Sequence, residues 1–207
     1  MAKLKATSGM SLFNDPLLSD VTIKQTYKGA TREYHAHKAI LCKGSDFFSK
    51  AFSGNFKEAT DRVIELHDDI LEHFEILLKH LYGISYVPSD NIYGEYREEC
   101  CITAIRLYTV ADKYGVKDLV DIALRYVQDN DFTFIDTECS KTIGAHYDTC
   151  GLPGCAMGLA VADKMITVSE EQLARTPECA ELIRKYPTFA ADMVLVALEN
   201  VTWISLD

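Results

Sequence analysis

YHAHKAILCKGSDFFSKAFSGNF, residues 34–56, is the stretch that decides the fold. It opens as a strand, turns at once into a helix, breaks at Gly44-Ser45 and starts a second helix. His37–Cys42 makes the first helix, with Gly44 in the C-terminal glycine position. Ser45 is a natural N-cap for Asp46–Ser53, which carries Phe47, Phe48, Ala51 and Phe52 inward. The apolar positions Tyr34, Ala36, Ile40, Leu41, Phe47, Phe48 and Phe52 are spaced to pack a core beneath a recognition surface. No residue combination in the stretch belongs to a reaction centre, so it reads as part of a binding module, not of an enzyme.

Upstream, Leu12–Leu18 is an apolar segment broken by Pro16, a packed arm more than a helix. Ser19–Lys24 alternates, with Val21 and Ile23 on one face, and a turn at Gly29 returns Thr31–Ala36 as the second strand of a hairpin. Downstream, Arg62–Leu66 is a third strand with Val63 and Glu65 opposite Ile64. Asp68 and Asp69 precede a helix over Ile70–Tyr82, where acidic side chains suit the helix dipole. Leu71, Phe74, Leu77, Leu78 and Leu81 form its stripe. Ser85–Val87 reads as a short fourth strand, followed by a surface loop to Gly94. Cys101–Tyr114 is a helix with Ile105, Tyr108, Thr109 and Asp112 at helical spacing. Lys117–Gln128 is another, with Leu119, Val120, Ala123, Leu124 and Val127 as its apolar side.

The last third is helical. Asp131–Glu138 is a link or a continuing helical piece, and Gly144–Gly158 a turn-rich connection or helix start. Ser169-Glu170-Glu171-Gln172 has the form of a capping box for a helix to Arg175. Pro177 fits the first position of a helix through Lys185. Pro187 precedes a last helix over Phe189–Asn200, striped by Phe189, Met193, Val196 and Ala197. The fold class is α+β: a small mixed sheet of three to four short strands flanked by about five helices, then an all-helical extension.

The formal net charge of −10 over 207 residues argues against a general phosphate-binding surface, so no nucleic-acid partner is expected. No apolar run has membrane-spanning length. The start lacks the apolar core of a secretory signal, which makes a cytoplasmic or nuclear location the expectation. Seven cysteines, an odd count in such a chain, read as reduced thiols.

Ser19-Asp20-Val21, then Tyr34-His35-Ala36-His37-Lys38-Ala39-Ile40-Leu41, then Ser45-Asp46-Phe47-Phe48 closely resemble the BTB/POZ domain. The resemblance continues through Phe56-Lys57-Glu58, Val63–Leu66 and Phe74–Gly83. It runs on to Leu107–Tyr114, which looks like the form common in fungal members. The whole is similar to fungal stand-alone proteins with one BTB domain and a helical tail. It implies an arm over 1–16, a BTB/POZ domain over 17–130 and a helical extension over 131–207.

The resemblance implies a non-enzymatic protein–protein interaction module. Many members are substrate adaptors of cullin-3 ubiquitin ligases, in which a hydrophobic-x-Glu motif after the second helix helps contact the cullin. Phe56-Lys57-Glu58 has that form at a similar place, an apolar anchor beside a carboxylate. Asp20 and Lys38 match a charged pair that lines a groove in dimeric members; an ion pair fixing first strand to first helix is an equal reading. The alternatives are a self-associating scaffold, or a transcription-related BTB protein without its own DNA-binding module. Dimeric members exchange a longer N-terminal strand and helix. Here only Leu12–Leu18, interrupted by Pro16, precedes Ser19, which weighs against that exchanged homodimer.

His35 and His37 stand two apart, as strand histidines that bind metal can. The resemblance makes His37 structural, at the strand–helix step, and His35 faces the other way. Cys139, His146, Cys150 and Cys155 form a second grouping, but zinc fingers carry a tighter cysteine pair, and Gly151, Pro153 and Gly154 already explain the loop. No metal or cofactor is expected. Cysteine and histidine without a positioned third group do not make a nucleophile, and the glycines of 144–158 lack the Gly-Lys-Ser/Thr ending of a phosphate loop.

Overall fold

Val21, Ile23 and Gln25 point inward from one strand, and Tyr34 and Ala36 from the next, because successive side chains of a strand alternate faces. These strands are β1 (Val21–Tyr27) and β2 (Ala30–Ala36), an antiparallel pair in register from Val21↔Ala36 to Tyr27↔Ala30. The connecting residues Lys28 and Gly29 have φ of 47° and 83°. Two successive left-handed residues form the turn that matches the strand twist, and glycine takes the second at no steric cost. The computed structural model describes residues 11–54, 56–84, 86, 95–129, 139–167 and 177–200. β3 (Val63–His67) lies parallel to β1, giving a three-stranded sheet of order β2-β1-β3. Ile64 and Leu66 join the buried face while Val63 is left exposed, as the alternation requires. The fold is the mixed α+β arrangement expected.

Ten helices accompany the sheet among the described residues. The first four are α1 (Lys38–Gly44), α2 (Asp46–Ser53), the single turn α3 (Lys57–Thr60) and α4 (Leu71–Leu81). They are followed by α5 (Glu95–Lys113), α6 (Lys117–Asp129) and α7 (Cys139–Tyr147). The last three are α8 (Ala156–Thr167), α9 (Pro177–Lys185) and α10 (Pro187–Asn200). The chain divides into two compact units, one running to Tyr86 and including Lys113–Val116, the other taking Val87–Asp112 and the residues from Lys117 on. The first unit is centred on aromatic rings. Phe48 and Phe74 are fully buried, and the Tyr114 ring lies 5.7 Å from the first and 5.3 Å from the second. The second unit is a helical core that includes Ile105, Val127, Ile143, Met157, Val161 and Phe189.

Several expectations need adjusting. On α5 the buried residues include Cys101, Ala104, Ile105, Leu107, Val110 and Ala111, whereas Asp112 is exposed and Thr109 half-buried. Pro177 and Pro187 open α9 and α10, as their fixed φ suits. Gly144 and Gly158 do not mark turns: they lie inside α7 and α8, and the turn between those helices occupies residues 148–155. Each glycine makes room for a neighbour. A Cβ at Gly144 would come within 3.3 Å of Tyr186 Oη, and one at Gly158 would run into Asp192 Oδ2. α8 was also hidden by composition, because a helix apolar on most faces carries no amphipathic stripe. Of the expected strand Ser85–Val87 only Tyr86 is described, outside any strand, and the capping box at Ser169 falls outside the described residues.

Candidate functional site

The N-terminal turn of α1 has main-chain N–H groups with no partner inside the helix. Asp20 supplies one: its Oδ1 accepts from the Lys38 N–H at 2.8 Å. The paired residues of the sequence analysis therefore meet through the main chain of Lys38. The ammonium of Lys38 points elsewhere. Nζ donates to the carbonyls of Glu58 (3.3 Å), Ala59 (2.9 Å) and Asp61 (3.2 Å) and sits 5.0 Å from the centre of the Phe52 ring. Those carbonyls are at the C-terminal end of the α3 turn, where a cation is favoured.

α3 is the turn that carries Phe56-Lys57-Glu58. Phe56 stands at its N-cap with backbone in the extended region, and its carbonyl accepts from the Ala59 N–H at 3.1 Å. The Phe56 ring is 63 % exposed, Lys57 is exposed and Glu58 half-buried. Beneath the ring lies Gly54, where a Cβ would approach to 2.7 Å. An aromatic anchor is thus held outward on a clamped turn, with a carboxylate two residues on. Lys57 also pairs with Asp61 at 3.6 Å, an exposed contact of little energetic weight.

The two strand histidines part company. His35 is exposed, while its main-chain N–H donates to Asn14 Oδ1 at 3.0 Å. His37 is buried; Nδ1 meets Tyr82 Oη and Nε2 meets the Leu17 carbonyl, each at 2.8 Å. Both ring nitrogens are engaged, so His37 pins the N-terminal segment and α4 to the step into α1.

Sequence reasoning placed Asp69 at a helix start; the structure buries it. Its Oδ1 and Oδ2 receive Lys113 Nζ at 2.8 and 2.9 Å, and Oδ2 also accepts from the Tyr114 hydroxyl at 2.7 Å. Gln25 Nε2 donates to the Asp69 carbonyl at 3.0 Å. Burial first, then the adjoining carboxylate, pushes the Tyr114 phenol far above its ordinary range, so it stays a donor. No local signal joins residues 44 positions apart.

Of the cysteine and histidine grouping, three come together. His146, Cys150 and Cys155 offer Nε2, Sγ and Sγ within 4.8 Å of one another; the Cys139 side chain is outside the described set. Burial lowers the His146 pKa and raises that of the Cys155 thiol. Among the described residues no helix is long and apolar enough to cross a membrane.

Comparison with known proteins gives these positions a setting. The family model for the BTB/POZ domain matches residues 10–131. The chain belongs to the BTB/POZ domain family. Mouse kelch repeat and BTB domain-containing protein 4 is 30 % identical over 114 residues, 55 % of this chain and 18 % of the relative. Human BTB/POZ domain-containing protein 6 is 38 % identical over 72 residues, 35 % of this chain and 13 % of the relative. The chain thus spans less than a fifth of the length of either. A solved BTB domain, that of zebrafish PATZ1, aligns with 54 % of this chain and 77 % of its own at 19 % identity and a TM-score of 0.39. The BTB domain is a protein-interaction fold, and this chain is a protein-interaction module by membership. Asp20, Lys38 and Phe56–Glu58 lie inside the BTB match; His146, Cys150 and Cys155 lie beyond it.

Proposed function

We propose that this chain is a non-enzymatic adaptor whose BTB domain, over residues 17–130, presents Phe56-Lys57-Glu58 to a protein partner, with the N-terminal domain of cullin-3 as that partner. The observation that carries the reading is the exposed Phe56 ring on a turn whose carbonyls Lys38 holds. Interface energy concentrates in a few pre-positioned aromatic anchors, and a clamped turn loses little entropy on binding. The helical region after residue 131 is then the place for a substrate. Titration of the full chain with the cullin-3 N-terminal domain tests this. Phe56→Ala weakens binding about thirtyfold while leaving stability within about 0.5 kcal/mol, because the ring is mostly exposed. Lys38→Met weakens it too, by loosening the turn. No binding on the order of tens of micromolar, or binding indifferent to Phe56 and Glu58, removes the cullin reading.

Self-association is favoured by a different observation. Leu17 and Leu18 are 49 % and 80 % exposed, and Leu18 has φ of 59°. A left-handed backbone costs an L-residue about 1 kcal/mol, and here it is spent on an outward apolar side chain. A scaffold that associates through these residues scatters light as a dimer and becomes monomeric on Leu17→Ser with Leu18→Ser. A strict monomer in the wild type ends that reading.

A further inference from the structure

Outside the interaction surface, one cluster has the make-up of a metal ligand set. His146 is in the last turn of α7, Cys150 follows in the connecting turn and Cys155 immediately precedes α8. The two sulfurs are 3.7 Å apart, and Cys155 Sγ is 3.2 Å from His146 Nε2. Tetrahedral zinc takes sulfur at about 2.3 Å and imidazole nitrogen at about 2.0 Å; two bound sulfurs then stand about 3.8 Å apart, and sulfur and nitrogen about 3.5 Å. Both measured separations come within a few tenths of an ångström of that arrangement.

We propose that His146 Nε2, Cys150 Sγ and Cys155 Sγ hold a divalent transition-metal ion, zinc by ligand type, which fastens the end of α7 to the start of α8. Two thiolates and an imidazole suit zinc, whereas magnesium and calcium demand oxygen donors. The thiol protons leave to solvent, and the two thiolates neutralise the ion's charge.

A second observation comes from His146 itself. Its ring is only 2 % exposed, Nδ1 finds no hydrogen-bond partner among the described residues, and Nε2 faces thiol sulfur. Sulfur is a weak hydrogen-bonding partner, so as a free imidazole this buried ring is poorly compensated. A coordinate bond from Nε2 replaces that weak sulfur contact with a strong one and leaves the ring proton on Nδ1. The surroundings agree. The buried carboxylate of Asp192 accepts from the Gly154 N–H at 2.6 Å and the Tyr147 hydroxyl at 2.8 Å, both neutral donors. Its Oδ2 shares the space over Gly158 with Cys155 Sγ and His146 Nε2, each of the latter 3.2 Å from where a Cβ would stand. The Asp192 carboxylate therefore lies beside the cluster, next to Gly158. Gly154, at φ 83°, makes the turn that brings Cys155 back to the cluster.

The test uses the full chain, purified in reductant and stripped with a chelator. Cobalt(II) is expected to bind at one equivalent, with thiolate-to-cobalt charge transfer in the near ultraviolet and the intense visible bands of a tetrahedral site; zinc then bleaches them. Cys150→Ser and Cys155→Ser each weaken binding about a hundredfold or more, while Cys42→Ser leaves it unchanged. Should a serine variant fail to fold, the wild type alone decides: a mercurial that titrates two thiols releases one zinc. Absence of the cobalt spectrum, metal retained by both serine variants, or a Cys150–Cys155 disulfide that takes up no metal once reduced would each overturn the proposal.

Discussion

Phe48→Ala lowers the stability of the chain by about 3–5 kcal/mol and its thermal midpoint by about 10 °C. The Phe48 ring is fully buried, lies nearly parallel to Tyr114 at 5.7 Å and to Phe52 at 5.8 Å, and meets Phe47 edge-on at 5.2 Å. Truncation removes the transfer energy of a whole phenyl group. It also leaves a hole that three neighbouring rings cannot close without leaving their favoured geometries. Phe47 and Phe52 are only half-buried, so alanine at either costs about half as much. Equilibrium denaturation in urea ranks the three variants. If Phe48→Ala costs no more than Phe52→Ala, the aromatic centre described here is wrong.

Lys113→Met is expected to cost about 2–3 kcal/mol. The Asp69 side chain is 7 % exposed and receives both oxygens' worth of Lys113 Nζ contact together with the Tyr114 hydroxyl. Removing one partner of a buried pair costs about 3–5 kcal/mol, because the remaining charge is uncompensated. Lys113 is 45 % exposed, so water already screens part of the interaction and the expectation is reduced accordingly. The double variant Lys113→Met with Asp69→Leu recovers more than half the loss, since no charge is then stranded and only the Tyr114 hydroxyl lacks its acceptor. Chemical denaturation of wild type, both single variants and the double variant closes the cycle. Additive losses would mean that the two side chains do not interact.

The proposed interaction site was legible in part. Phe56-Lys57-Glu58 could be read because the three residues are consecutive and the likeness to BTB proteins spans them. That they sit on a helical turn, and that Lys38 holds this turn by its carbonyls, could not: the contact joins residues 20 to 23 positions apart through a long, flexible side chain. Asp20 and Lys38 meet, but through a carboxylate capping a main-chain N–H and not through their side-chain charges. Nothing in side-chain charge reveals that.

What the sequence by itself determined is the local frame. Alternation put Val21, Ile23 and Ile64 on the buried face, and Ser45 capped α2, its Oγ accepting from the Phe48 N–H at 3.2 Å. Prolines opened the last two helices. Such features depend on backbone preferences and on periods of two and 3.6 residues, which any single stretch displays. The tertiary structure alone decided the rest: the burial of Asp69 against Lys113, the helical setting of Gly144 and Gly158, and the meeting of His146 with Cys150 and Cys155. Each depends on which distant side chain or helix arrives, and in a close-packed interior that outcome belongs to the whole fold.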